Sequence, residues 1–101
     1  MAVEASISID NSVLTIGIKG KFYFSMISKF RKAYSNDSIK PERVIIDMRN
    51  TSAIDSSALG MLLNMQRYLK KEDGEISIVN CNQDVNKVFQ ITHLNKKFRI
   101  E

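Results

Sequence analysis

The stretch Ile54-Asp55-Ser56-Ser57-Ala58-Leu59-Gly60 sets a carboxylate and two hydroxyls side by side. Upstream lies the β-branched run Val44-Ile45-Ile46. Downstream, Leu59 to Leu69 repeats apolar residues with helical spacing. The hydroxyls therefore fall where a helix begins. A first helical turn offers unpaired backbone N–H groups and the positive end of the helix dipole. Negative charge is favoured there, so phosphorylation of Ser56 or Ser57 is the chemistry this spacing suggests. The plainer role for Asp55 and Ser56 is N-capping, in which a side-chain oxygen accepts an early backbone N–H. The two roles are compatible if Asp55 caps and Ser56 is modified.

Other reactive residue types do not assemble into a motif. His93 is the only histidine and Cys81 the only cysteine, and no pair has metal-ligand spacing. A Ser-His-Asp arrangement would have to use His93, which has no supporting motif around it. Gly17-Ile18-Lys19-Gly20-Lys21 lacks phosphate-loop spacing, and no helix starts directly after it. The expectation is a protein with no metal, no cofactor and no enzymatic activity. Lys40 with Arg43, Lys70 with Lys71, and Lys96 with Lys97 and Arg99 are short basic clusters that read as solvated surface rather than as a nucleic-acid face.

The elements that position Asp55 to Ser57 follow from periodicity. Ile7 and Ile9, then Val13, Leu14, Ile16 and Ile18, read as two strands joined by a turn at Asp10-Asn11-Ser12. Gly17 and Gly20 mark places where backbone approaches closely or turns. Met26, Ile27, Phe30, Ala33 and Tyr34 give a helix over 25–34, broken by Ser35-Asn36-Asp37-Ser38 and Pro41. Val44 to Met48 reads as a central strand covered on both faces, and Arg49 to Ala53 as a loop. The second helix runs from Ser56 or Ser57 to Glu72, closed by Asp73-Gly74. Ile76, Ile78 and Val79 form the next strand. Asn82-Gln83-Asp84 caps a third helix, and Phe98 and Ile100 form a last short strand. The order β-β-α-β-α-β-α-β predicts an α/β fold, one mixed sheet with helices packed against it.

The chain has 101 residues, 44% of them hydrophobic, and a formal net charge of +4. That predicts one domain over 1–101 with an ordinary core and a mild preference for acidic partner surfaces. A single cysteine excludes an internal disulfide. No signal-peptide pattern and no long apolar run is present, so membrane insertion is not expected and the cytoplasm is the expected location.

The second helix carries more apolar surface than one buried face needs. On a wheel of about 100° per residue, Leu59, Leu62, Leu63 and Leu69 share one arc with Gln66. Ala58, Met61, Met65 and Tyr68 form a second, adjoining arc, bordered by Ser57 and Asn64. Together the arcs cover roughly 200°. The second arc either packs beneath a neighbouring helix or forms an adaptable patch that binds a protein. Gly60 leaves bare backbone near the helix start. Some of the aromatic run Phe22-Tyr23-Phe24 must be core, with one ring exposed near the serines.

Val44-Ile45-Ile46-Asp47, a short loop and then Ile54-Asp55-Ser56-Ser57-Ala58-Leu59-Gly60 resemble the STAS domain, most closely the small anti-sigma factor antagonists of bacteria. The resemblance extends over nearly the whole chain. Gly20-Lys21-Phe22 is similar to the family's turn after the second strand, and Gly74 to Asn80 to its later strand. Val85 to Phe89 with Thr92, Leu94 and Phe98 is similar to its third helix and exit. The resemblance implies a phosphoprotein that works by partner switching. A partner serine kinase of the anti-sigma type would phosphorylate Ser56, with Ser57 the second choice, and a partner serine phosphatase would reverse it. The unmodified form would bind its target and the modified form release it. Partner contact would fall on Asp55, Ser57, Ala58, Gly60, Met61, Asn64, Met65, Tyr68 and Tyr23. An alternative within the family is a constitutive adaptor subunit of a larger assembly such as a lipid-transport ATPase, with the serines serving only as caps. Tyr23 stands where family members often have an aspartate, and Ala58 where a glycine is common. The fourth, C-terminal helix of family members is missing from the pattern, which would leave a sheet edge or face open or paired with another molecule.

Overall fold

The computed structural model describes residues 12–35 and 40–101 in full and the backbone of residues 2–8. Strand β1 (Ala2–Ser8) pairs antiparallel with β2 (Val13–Phe22). After a 3-10 turn at Phe24–Met26 come α1 (Ile27–Tyr34), β3 (Arg43–Asp47), β4 (Thr51–Ile54) and α2 (Ser56–Tyr68). Then follow β5 (Ile76–Val79), α3 (Gln83–Ile91), a 3-10 turn at Leu94–Lys96 and β6 (Arg99–Ile100). The sheet is ordered β1-β2-β3-β5-β6, and every pairing after the first is parallel. The mixed α/β sheet is the predicted one, with one strand added. Asp10 and Asn11 of the expected hairpin turn, and residues 36–39 of the expected helix break, lie outside the described residues.

The added strand is β4, which falls in the segment read as a loop. Thr51 and Ser52 show no apolar alternation, so nothing local marks it. It exists because β2 is ten residues long and outruns β3. The first half of β2 pairs with β3, and its far end, Gly20 to Phe22, pairs with β4. The change of partner occurs at a bulge between Gly20 and Lys21, where Gly20 takes φ 87°, a conformation glycine adopts without steric cost. Buried Thr51 fastens the new strand by donating its hydroxyl to the Ile18 carbonyl at 2.7 Å. Asn82 fastens it from the other side. Its Nδ2 donates to the carbonyls of Thr51 and Ser52 at 3.2 and 3.3 Å, while its Oδ1 caps α3 by accepting from the Val85 N–H at 2.8 Å.

The helices cover one face of the sheet. Leu14, Ile16, Ile18, Val44, Ile46, Ile76 and Ile78 are buried in register across β2, β3 and β5, in one cluster with Phe30 of α1, Leu62 of α2 and Phe89 of α3. Thr15, Ile45 and Asp47, on the opposite face, stay partly exposed. This corrects the expectation that β3 is covered on both faces. Its unbroken apolar run hides an alternation in which only Val44, Ile46 and the following Met48 are core.

Helix α2 ends at Tyr68, short of the expected Glu72, because Lys70 turns the chain at φ 55°. The N–H of Lys71 donates to the Gln66 carbonyl and that of Lys70 to the Arg67 carbonyl, a Schellman closure with lysine where glycine is favoured. His93 holds the equivalent left-handed position after α3, at φ 61°.

Two measurements check these connections. Lys70→Gly removes the strain of a side chain in the left-handed region and is expected to stabilise the protein by about 1 kcal/mol in urea unfolding. Asn82→Asp keeps the cap acceptor but loses the donor to β4, whereas Asn82→Ala loses both. The unfolding midpoint should therefore fall from wild type to Asn82→Asp to Asn82→Ala, the cap alone accounting for about 1 kcal/mol.

Candidate functional site

Asp55 lies in extended backbone (φ −118°, ψ −177°) between β4 and α2, which leaves its carboxylate free to fold over the helix start. Oδ1 accepts the Ala58 N–H at 3.1 Å and the Ser57 hydroxyl at 2.5 Å. The backbone N–H groups of Phe24 and Ser57 also contribute favourably to its charge. Desolvation by burial pushes the Asp55 carboxyl up, but the Ser57 hydroxyl and these N–H donors outweigh it and hold the group below its ordinary value. The capping role expected of Asp55 is what the geometry shows.

The two serines occupy different environments. Ser57 is half-buried with its hydroxyl committed to Asp55. Ser56, at the first helical position, is exposed, and its side chain forms no hydrogen bond among the described residues. The helix start was expected to welcome a phosphate through its unpaired N–H groups. Asp55 already accepts that of Ala58, and Ser56 is exposed, so a group added to Ser56 would project outward into solvent.

The pairing of Phe22 with Ile54 brings the end of β2 against the same helix start. Phe22 is fully buried, as part of an aromatic chain in which its ring meets Phe30 at 5.0 Å and Phe30 meets Tyr34 at 5.4 Å. Tyr23 and Phe24 are instead 36% and 61% exposed, where one exposed ring was expected. Phe24 was not singled out from the sequence. Its signal was the aromatic triplet itself, since a strand end cannot turn three consecutive rings inward. The Lys21 ammonium sits 5.9 Å from the centre of the Tyr23 ring.

Three of the residues expected at the partner surface are not on a surface. Ala58, Met61 and Met65 are core, and Met65 has no exposure at all. The buried face of α2 is Ala58, Met61, Leu62, Met65 and Gln66. Helix α1 packs alongside, and its Tyr34 meets Tyr68 edge-on at 5.4 Å. Leu59, Leu63 and Leu69, assigned to the core from the wheel, are only partly buried at its margin. Gly60 and Asn64 are exposed, and Tyr68 is 44% exposed at the far end. The structure therefore groups Tyr23, Phe24, Asp55, Ser56 and Ser57 at the head of α2, with Gly60 one turn on.

The groups set aside from the sequence stay apart from this site. His93 is exposed at the end of α3. Burial pushes the Cys81 thiol up to about 11, which keeps it protonated and weakly nucleophilic. Among the described residues no group of His, Cys, Asp and Glu is arranged to hold a metal ion, and no helix is long and apolar enough to cross a membrane.

Comparison with known proteins agrees with this architecture. The family described as the STAS domain matches residues 4–101. A STAS-domain containing protein of Pseudomonas aeruginosa is 41% identical over 100 residues, covering 99% of each chain. Two solved structures share the fold at low identity. The anti-sigma factor antagonist SpoIIAA in its unphosphorylated form superposes with a TM-score of 0.66 at 20% identity, over 89% of this chain and 83% of that one. An anti-sigma factor antagonist from Mycobacterium paratuberculosis gives a TM-score of 0.78 at 16% identity, over 98% of this chain and 85% of the other. A family match across nearly the whole chain, joined to a relative of this identity and length, places the protein in the STAS domain family.

Proposed function

We propose that this STAS domain is a non-enzymatic binding protein, attached to a protein partner through the head and exposed side of α2 and released when Ser56 is phosphorylated. The partner is a serine kinase or anti-sigma-like regulator, and a serine phosphatase restores binding. The observation that carries this reading is the contrast between the serines. Ser56 presents an uncommitted hydroxyl to solvent, while the Ser57 hydroxyl is locked on Asp55 at 2.5 Å. A kinase can reach the first without disturbing the cap and can reach the second only by breaking it.

Phosphorylation adds about −1.5 to −2 charges to one residue. Asp55 next door is already ionised and holds the nearest backbone donors, so those charges stay outward-facing and unneutralised. A partner packed there must then desolvate them beside the exposed rings of Tyr23 and Phe24. Loss of about 2.7 kcal/mol is enough to reduce binding a hundredfold.

Gly60 supports a close approach on this side of the helix. It is exposed, and a methyl group placed on it would touch nothing within 4 Å. Glycine inside a helix costs roughly 0.5–1 kcal/mol relative to alanine, and no packing among the described residues requires it. A partner backbone passing close to the helix does.

Both parts of the reading can be measured. In protein taken from its native cells, phosphate is expected on Ser56 and not on Ser57. Ser56→Ala should retain the partner in co-purification, and Ser56→Asp should lose it by about a hundredfold. Equal retention by the two variants would instead mean permanent attachment. Gly60→Ala is expected to raise the unfolding free energy by roughly 0.5–1 kcal/mol while weakening partner binding. A gain in stability with unchanged binding would remove the close approach.

A further inference from the structure

The far end of α2 carries a second recognition feature. An open cleft of about 380 Å³ lies between the last turns of α2 and the chain leading into β6, lined by Leu63, Gln66, Arg67, Lys71, Asp73 and Lys97. Three of these six are cations and one is an anion. The anion is already occupied, since Asp73 Oδ1 accepts from Gln66 Nε2 at 3.2 Å and faces Lys97 Nζ at 3.7 Å. The Lys71 ammonium donates to the Glu42 carbonyl at 3.0 Å, which orients it and leaves its charge unneutralised. The Arg67 guanidinium has no hydrogen bond or ion pair among the described residues. The cleft thus offers a positive wall above an apolar floor at Leu63.

Its position relative to the serine is also informative. On α2, Ser56, Gly60, Leu63 and Arg67 fall within about 60° of one another, opposite the buried face. The stripe runs from the hydroxyl to the cleft over about 16 Å. A segment lying along it would meet the serine at one end, bare backbone at Gly60, an apolar contact at Leu63 and the cations at the other.

We infer that the cleft binds acidic side chains of the protein partner, on a segment that pairs carboxylates with an apolar residue. This rests on the reading of α2 as the partner-binding helix and adds the chemistry of what binds. Arg67 and Lys71 would pair with carboxylates, the guanidinium in bidentate fashion, and Leu63 would take the apolar side chain. The cleft acts independently of the phosphate on Ser56, so it holds the register of the partner while the serine decides attachment.

A short blocked peptide of glutamate and leucine serves as probe, followed through the amide NMR spectrum of the full chain. Shifts are expected at Arg67, Lys71 and Lys97, with affinity falling as salt is raised. Arg67→Gln combined with Lys71→Gln should weaken binding about tenfold, and unchanged amide signals from the sheet would show that the fold is kept. Lys97→Gln provides a second, separate loss. Unaltered affinity in these variants, shifts centred on Lys29, Arg31 and Lys32 of α1, or equal binding of the glutamine version of the peptide would each overturn the proposal. So would inorganic phosphate binding as tightly as the peptide, since the cleft would then be a plain anion site. Ser56→Asp should bind the peptide as wild type does. Failure of the peptide therefore removes the acidic segment alone, and failure of the Ser56 variants removes the switch alone.

Discussion

The Asp55 carboxylate collects two donors at its own helix start, the Ala58 N–H and the neighbouring Ser57 hydroxyl. Burial opposes its charge, and these hydrogen bonds more than compensate. Much of the site follows from that balance. The cap sets where α2 begins, the Ser57 bond commits one hydroxyl, and the pairing of Phe22 with Ile54 brings the exposed rings of Tyr23 and Phe24 towards the same helix start. With Asp55 removed, the Ser57 hydroxyl would lose the partner that commits it and the helix start would lose its cap.

The sheet supports this arrangement by carrying its helices on one face. Because β2 runs past β3, its far end needs another partner, and β4 supplies it. The strand that delivers Asp55 is therefore itself held in the sheet, fastened by Thr51 and by the Asn82 side chain that also caps α3. Both flanks of the site, at Phe22 and at Ile54, end as neighbours in one parallel pairing. The distance between the aromatic turn and the helix start is set by that pairing and not by loop length.

Helix α2 has two opposite faces in different surroundings. One fills the core with Ala58, Met61, Leu62 and Met65. The other runs from Ser56 through Gly60 to Arg67 and is free for contact. The sequence exposed the surplus of apolar residues and left open whether the methionine arc packs beneath a neighbouring helix or meets a partner. The structure puts Met61 and Met65 inside with Leu62, while Leu59 and Leu63, given the interior, lie at its margin. Hydropathy ranks these residues alike. Which arc turns inward depends on where α1 stands, and Met fills an irregular gap beside a neighbouring helix better than a branched leucine does.

What the sequence alone determined was local in origin. Alternation in β2, the 3.6-residue period of α1 and α3, the cap at Asn82 and the Asp-Ser-Ser junction each depend on residues close together in the chain. They established the order of elements, the mixed α/β class and the resemblance to the STAS family. Tertiary structure decided the rest, because it depends on residues far apart. Thr51 and Ser52 become a strand only because the end of β2 needs a partner, and one face of β3 stays partly exposed because the helices gather on the other. The two serines, equivalent as neighbours in the sequence, differ because the Asp55 carboxylate folds over the helix start and takes the hydroxyl of Ser57, leaving that of Ser56 outside.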